Sequence, residues 1–197
     1  MESYIEQAAD LSTHSQLPPA SQVVEQLLAV EKANAKAKET HTFDDLMGTW
    51  KLRLITGTKK TRKKAGVILG AGRYLPKFID IKLIYHTKKL DTDSETPSNT
   101  GRIQNRVGLG LIELSLSGPA KFVPPKNILV FDFTTITVKL NSLKIYQGYI
   151  RNGRRTEEEF ANRAIAKSPF FVYFLIRENF IAARGRGGGL ALWSRIE

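Results

Sequence analysis

Five of the six residues from Lys59 to Lys64 are cationic: Lys59, Lys60, Arg62, Lys63 and Lys64. Charge of one sign at that density does ionic chemistry; it docks an anion, or it forms an unusually basic solvated surface. The neighbourhood has the same sign. Between Gly48 and Leu90 lie twelve Lys or Arg residues and one acid, Asp80, so this stretch carries +11, the net charge of the whole chain. Stacking nucleic-acid bases would call for aromatic residues among the charges, and Gly57 to Leu69 has none. No nucleic acid is therefore expected as a partner. Lipid headgroups need only the field of Lys and Arg, worth ~1 kcal/mol for each charge near the surface. Val67-Ile68-Leu69 just beyond the run offers an apolar insertion, with Tyr74 at interfacial height.

Catalytic chemistry has little to work with. There is no cysteine, which removes thiol nucleophiles, thiolate metal sites and disulfides together. Of the three histidines, His14 lies in the weak N-terminal segment, His41 precedes the barrel and His86 ends a strand, and none is expected to pair with an acid or a second His at metal-ligand spacing. Glu157, Glu158 and Glu159 suit the first turn of a solvated helix. Gly185, Gly187, Gly188 and Gly189 sit between strand-like runs, so a tight turn is expected in place of a phosphate loop, with Arg184 and Arg186 as secondary anion contacts. Gly66 to Gly72 matches no dinucleotide fingerprint. The expectation is a protein that is not an enzyme and needs neither metal nor cofactor.

These groups must be held by a mainly β scaffold. Met1 to Leu17 predicts a weak helix ending at Pro18-Pro19. Ser21 then caps a second helix over Gln22 to Lys38, with Val23, Val24, Leu27 and Leu28 on one side. From Gly48 the period falls to two: Trp50, Leu52 and Leu54 alternate with polar residues, and Ile79, Ile81, Leu83 and Tyr85 repeat the pattern. Further strands are predicted at 102–108, 111–117, 128–133, 135–140, 143–150, 170–176, 180–184 and 190–196. A polar loop is expected over Asp91 to Gly101, and a short helix over Glu157 to Lys167. About ten strands joined mostly by short turns remove their edges most simply by curling into a barrel. The predicted architecture is one antiparallel β-barrel over 46–197, preceded by a helical segment over 1–45. Its lining would be Trp50, Leu52, Leu54, Ile79, Ile81, Leu83, Tyr85, Phe131, Phe133, Phe171 and Tyr173.

Two end motifs carry a family resemblance. Phe43-Asp44-Asp45-Leu46-Met47-Gly48-Thr49-Trp50-Lys51-Leu52 resembles the opening of the plastid lipid-associated protein (PAP/fibrillin) family. Phe180 to Arg195, with its Arg-Gly run and final apolar strand, is similar to that family's closing hairpin. Gly48-Thr49-Trp50 also resembles the Gly-x-Trp motif of lipocalins. The resemblance implies a lipocalin-like barrel of cyanobacterial type that binds lipid, quinone or carotenoid and associates with thylakoid membranes. It also implies barrel closure by Gly48 and Trp50, with an Arg stacked on the indole; Arg195 and Arg184 are the candidates.

The alternative expectation is a peripheral scaffold docked on anionic thylakoid lipid through residues 59–64, with room for a protein partner there and no oligomeric state implied. Met1 to Asp10 holds three acids and no base, unlike the start of a secretory signal. The longest apolar run, Phe170 to Ile176, is seven residues, against roughly 20 for a spanning helix. A cytoplasmic or peripheral membrane location is therefore expected.

Overall fold

Period-two alternation fixes which side of each strand is apolar, and a sheet with one apolar side buries it by closing on itself. The computed structural model describes residues 3–11, 17–35, 39–57, 72–76, 78–87, 99–150, 152–165 and 168–196. Its strands are β1 (Gly48–Ile55), β2 (Arg73–Tyr74), β3 (Ile79–Thr87), β4 (Thr100–Leu109), β5 (Ile112–Val123), β6 (Ile128–Phe131), β7 (Thr135–Leu140), β8 (Leu143–Tyr149), β9 (Phe170–Ile176), β10 (Phe180–Gly185) and β11 (Leu190–Arg195). Eight of them form a closed antiparallel ring in the order β1, β3, β4, β5, β6, β9, β10, β11, and β11 pairs again with β1. The expected mainly β, lipocalin-like barrel is the fold.

The ring forks at β5. One edge of β5 pairs with β4 from Lys121 to Ile112. Its other edge is divided: Ala120–Val123 pairs with β6, and Ile112–Ser117 pairs with β7, which carries β8 outward as a hairpin. Gly118 stands at the fork. A Cβ there would lie 2.0 Å from the carbonyl oxygen of Asp132, so only glycine lets the chain between β6 and β7 cross so closely.

Two apolar clusters divide the interior from the outer wall. The inner one joins Trp50, Leu83, Tyr85, Ile103, Phe122, Leu129, Phe131, Tyr173, Ile181 and Trp193, with Phe43 and Leu46 beneath them. The outer one packs α1 (Tyr4–Ala9) and α2 (Ala20–Asn34) on Leu54, Phe174, Leu175, Ala182, Leu190 and Leu192. Leu54 was expected in the lining, but it belongs to the outer cluster. Between Leu52 and Leu54 the β1–β11 register slips by one residue, and this bulge turns Leu54 outward. Arg53 at the bulge donates to the carbonyls of Ala8 (3.2 Å) and Asp10 (3.1 Å), tying down the C-terminal end of α1.

The helices depart from expectation in their limits. The first spans only Tyr4–Ala9, closed by a capping box of Ser3 and Glu6. The second starts at Ala20 with Pro19 at the N-cap position, so Ser21 is not the cap. Of the helix expected over 157–167 only the first three residues are α-helical, as the end of α3, Gly153–Glu159, which a 3-10 turn at Phe160–Asn162 follows; residues 166–167 lie outside the described residues. α3 begins after Asn152, whose φ of 57° reverses the chain out of the β8 hairpin.

Candidate functional site

One end of the barrel is closed by the β1 entry. Trp50 is fully buried, and its indole Nε1 donates to the carbonyl of Leu46 at 2.7 Å. Arg195 is its cross-strand partner on β11, and the guanidinium carbon lies 4.0 Å from the centre of the indole ring. That distance is a cation–π contact. The same guanidinium donates to Glu178 O (2.5 Å) and Met47 O (2.6 Å), which fixes it over the ring. Gly48 enters the strand at a φ of 116°, a conformation that favours glycine.

Arg184, the other candidate for this closure, does not reach Trp50. It makes a two-pronged ion pair with Glu31 of α2, with Nε–Oε1 at 2.6 Å and Nη2–Oε2 at 2.5 Å, and also donates to Gly188 O. Its side chain leaves β10 on the outer wall, where α2 packs. The Glu31 hydrogen bonds raise the Arg184 pKa further. Arg186 donates to Ser168 O at 3.2 Å. The Gly-rich segment is a strand-to-strand turn, with Gly188 at a φ of 83° and its N–H on Gly185 O.

Above Trp50 an aromatic layer crosses the barrel. Phe131 and Phe171 lie 5.0 Å apart, Phe131 and Phe133 5.3 Å, and Phe171 meets Trp193 edge-on at 5.7 Å. Tyr85 and Tyr173 join hydroxyl to hydroxyl at 2.5 Å within this layer, both buried. Burial raises both phenol pKa values, because neither anion could be solvated there.

The other end of the barrel is less buried among the described residues. Leu83 and Tyr85 face inward, so Ile81 and Ile79 share their side of β3; their partners on β4 are Val107 and Leu109. Continuing across the register, the same face carries Leu114 and Leu116 on β5, then Ile136 and Val138 on β7. All of these except Leu83, Tyr85 and the exposed Leu109 are half-buried. Leu52, Phe133 and Phe171 are partly buried against the inner cluster. The opposite face is ionic: Asp80 bridges Lys51 (3.3 Å) and Lys82 (2.8 Å), and Glu113 bridges Arg106 (3.7 Å) and Lys139 (3.1 Å). The lysines beside Asp80 lower its pKa despite the desolvation that opposes them. The β7–β8 hairpin thus extends the inner apolar wall beyond the ring.

One polar group interrupts that wall. Asn105 pairs with Leu83 and Leu116, on the same side of β4 as buried Ile103. Its Oδ1 is buried and has no hydrogen-bond partner among the described residues. Sequence reading passed over Asn105, since a lone Asn in a strand carries no signal until its face is known.

The remaining expected groups are placed as follows. His41, expected to have no acidic partner, lies between Glu39 (3.6 Å) and Asp45 (3.5 Å) at the closed end, brought there by the turn before β1; His86 is the penultimate residue of β3, its pKa lowered by desolvation and by Arg102. Asp132 pairs with Arg163 at 2.6 Å. Lys59, Lys60, Arg62, Lys63 and Lys64, with Val67–Leu69, His14 and most of the 91–101 loop, lie outside the described residues. Among the described residues there is no cluster of three metal-ligating side chains, and no helix long and apolar enough to cross a membrane. Comparison of the chain with known protein families, with curated proteins and with solved structures finds no match to any of them.

Proposed function

We propose that the barrel is a non-catalytic carrier of an apolar small molecule, a lipid or an isoprenoid such as a quinone or carotenoid, held against the half-buried wall at its less buried end. On this reading the chain is a PAP/fibrillin-type protein working at a photosynthetic membrane. The observation that carries it is the apolar wall itself: Ile79, Ile81, Val107, Leu114, Leu116, Ile136 and Val138 lie side by side and only half-buried. Covering such a face with a ligand gains roughly 25 cal/mol for each Å² of apolar surface removed from water. Asn105 Oδ1, without a partner among the described residues, is an acceptor and would take a hydrogen bond from the hydroxyl of a hydroxylated carotenoid or other isoprenoid alcohol, while ion pairs line the opposite side of the sheet.

Both tryptophans, Trp50 and Trp193, belong to the inner cluster, so intrinsic fluorescence reports on the interior. Titration with a short-chain plastoquinone analogue, whose ring quenches indole, is expected to give saturable quenching. Protein isolated from its own cells should release a quinone, carotenoid or lipid on solvent extraction. Unsaturable quenching, together with an extract free of any such molecule, would remove this reading.

A further inference from the structure

Large exposed apolar side chains gather at two adjacent turns. β4 turns into β5 through Gly110-Leu111, and β7 into β8 through Asn141-Ser142; the N–H of Asn141 donates to the carbonyl of Leu111 at 2.9 Å, locking the tips together. Leu109, Leu111 and Ile112 project from the first tip, and Leu140, Leu143 and Ile145 from the second. Leu111 is 65% exposed and Leu143 70%. Isolated exposed leucines are ordinary, but six at one place form a patch that marks an interaction site.

The surroundings of the patch say what it meets. Lys139 and Lys144 face each other across the second hairpin, and Arg106 stands nearby with one carboxylate, Glu113, to balance all three. Tyr146 and Tyr149 are exposed farther along β8, behind the leucines. Leucine at the tip, with basic and aromatic residues behind it, matches the layering of a bilayer boundary: acyl chain, then anionic headgroup and interfacial zone. A second copy of the chain would bring two strongly positive surfaces together, whereas anionic lipid complements the charge.

From this we infer that the two tips insert Leu111, Leu140, Leu143 and their apolar neighbours into the surface of an anionic lipid bilayer. The inference concerns the outside of the barrel and holds with or without a ligand inside, so it stands or falls separately from the carrier reading.

The chain has no cysteine, so a single Leu143→Cys variant takes an environment-sensitive dye at one place. With vesicles of mixed phosphatidylglycerol and phosphatidylcholine, the dye emission is expected to shift to the blue and become shielded from an aqueous quencher. The same dye on Leu28→Cys, exposed on α2, should stay in water. The double variant Leu111→Gln/Leu143→Gln should keep its circular dichroism spectrum and lose vesicle affinity by roughly a hundredfold, about tenfold for each leucine withdrawn from an apolar setting. Wild-type protein that ignores the vesicles would overturn the inference. So would a dye at position 143 that stays in water while the protein binds, or a double variant that binds like wild type. A wild-type dimer in sedimentation that the double variant loses would assign the patch to a second copy, and would overturn it as well.

Discussion

Tyr85 and Tyr173 allow a sharp test of how the barrel interior is held. Their hydroxyls lie 2.5 Å apart with both residues nearly free of solvent, and Phe43, Phe171 and Trp193 pack around the rings. Neither hydroxyl has another hydrogen-bond partner among the described residues. Tyr85→Phe therefore leaves the Tyr173 hydroxyl buried and unpaired, at a cost of about 1–3 kcal/mol, and Tyr173→Phe does the same to Tyr85. Removing both hydroxyls deletes the polar pair and keeps both rings, so the double variant should lose far less than the sum, and less than either single change. For a chain of this size 1 kcal/mol corresponds to about 2–4 °C in Tm, so each single variant should melt several degrees lower and the double close to wild type. Urea unfolding followed by tryptophan fluorescence gives the four free energies of the cycle. A double variant as unstable as the two singles added together would refute the argument, because the hydroxyls would then be acting independently.

The same pair sets an alkaline limit. Both phenols titrate above their ordinary range in the folded protein, so the unfolded chain loses these protons first; stability is unaffected below about pH 10 and falls as pH rises beyond it. Alkaline denaturation curves should show that fall, and it should be smaller in the Tyr85→Phe/Tyr173→Phe variant, where Tyr74, its pKa also raised by burial, still contributes. Gly118→Ala should destabilise the protein by about 1–3 kcal/mol, since its methyl would press on the Asp132 backbone at the fork; an unchanged urea midpoint would contradict the described crossing. Arg195→Met, which keeps a long apolar side chain over Trp50, should lose the ~0.5–2 kcal/mol of the cation–π contact and also the two carbonyl hydrogen bonds, read as a lower melting temperature.

Strand rhythm was legible because a half-buried strand writes its two faces into alternate residues. The runs at 79–85, 135–140 and 190–196 became β3, β7 and β11 with little change of limits. Leu54 was not legible: the bulge at Arg53 reverses the faces without disturbing the apolar–polar alternation, so the sequence on either side reads as one strand. β2 is only two residues long, too short for any period. Arg184 and Arg195 both lie on late strands, and only the pairing of β11 with β1 shows which one reaches Trp50. Alternation also cannot say whether an apolar face is covered. Leu140 and Leu143 carry the same pattern as Leu83, although the first two are exposed and the third is buried.

The fork at β5 bears on how this chain can vary. The ring closes through the Ala120–Phe131 pairing and the β6–β9 pairing, and no rung of its ladder passes through β7 or β8. The hairpin is an excursion stitched to half of one edge, from Ile112 to Ser117. A change in its length breaks none of the pairings that close the ring, so the reach and chemistry of that rim are expected to drift independently of the barrel. Relatives that share the ring but differ in what surrounds their mouths would most readily differ between Phe131 and Phe170.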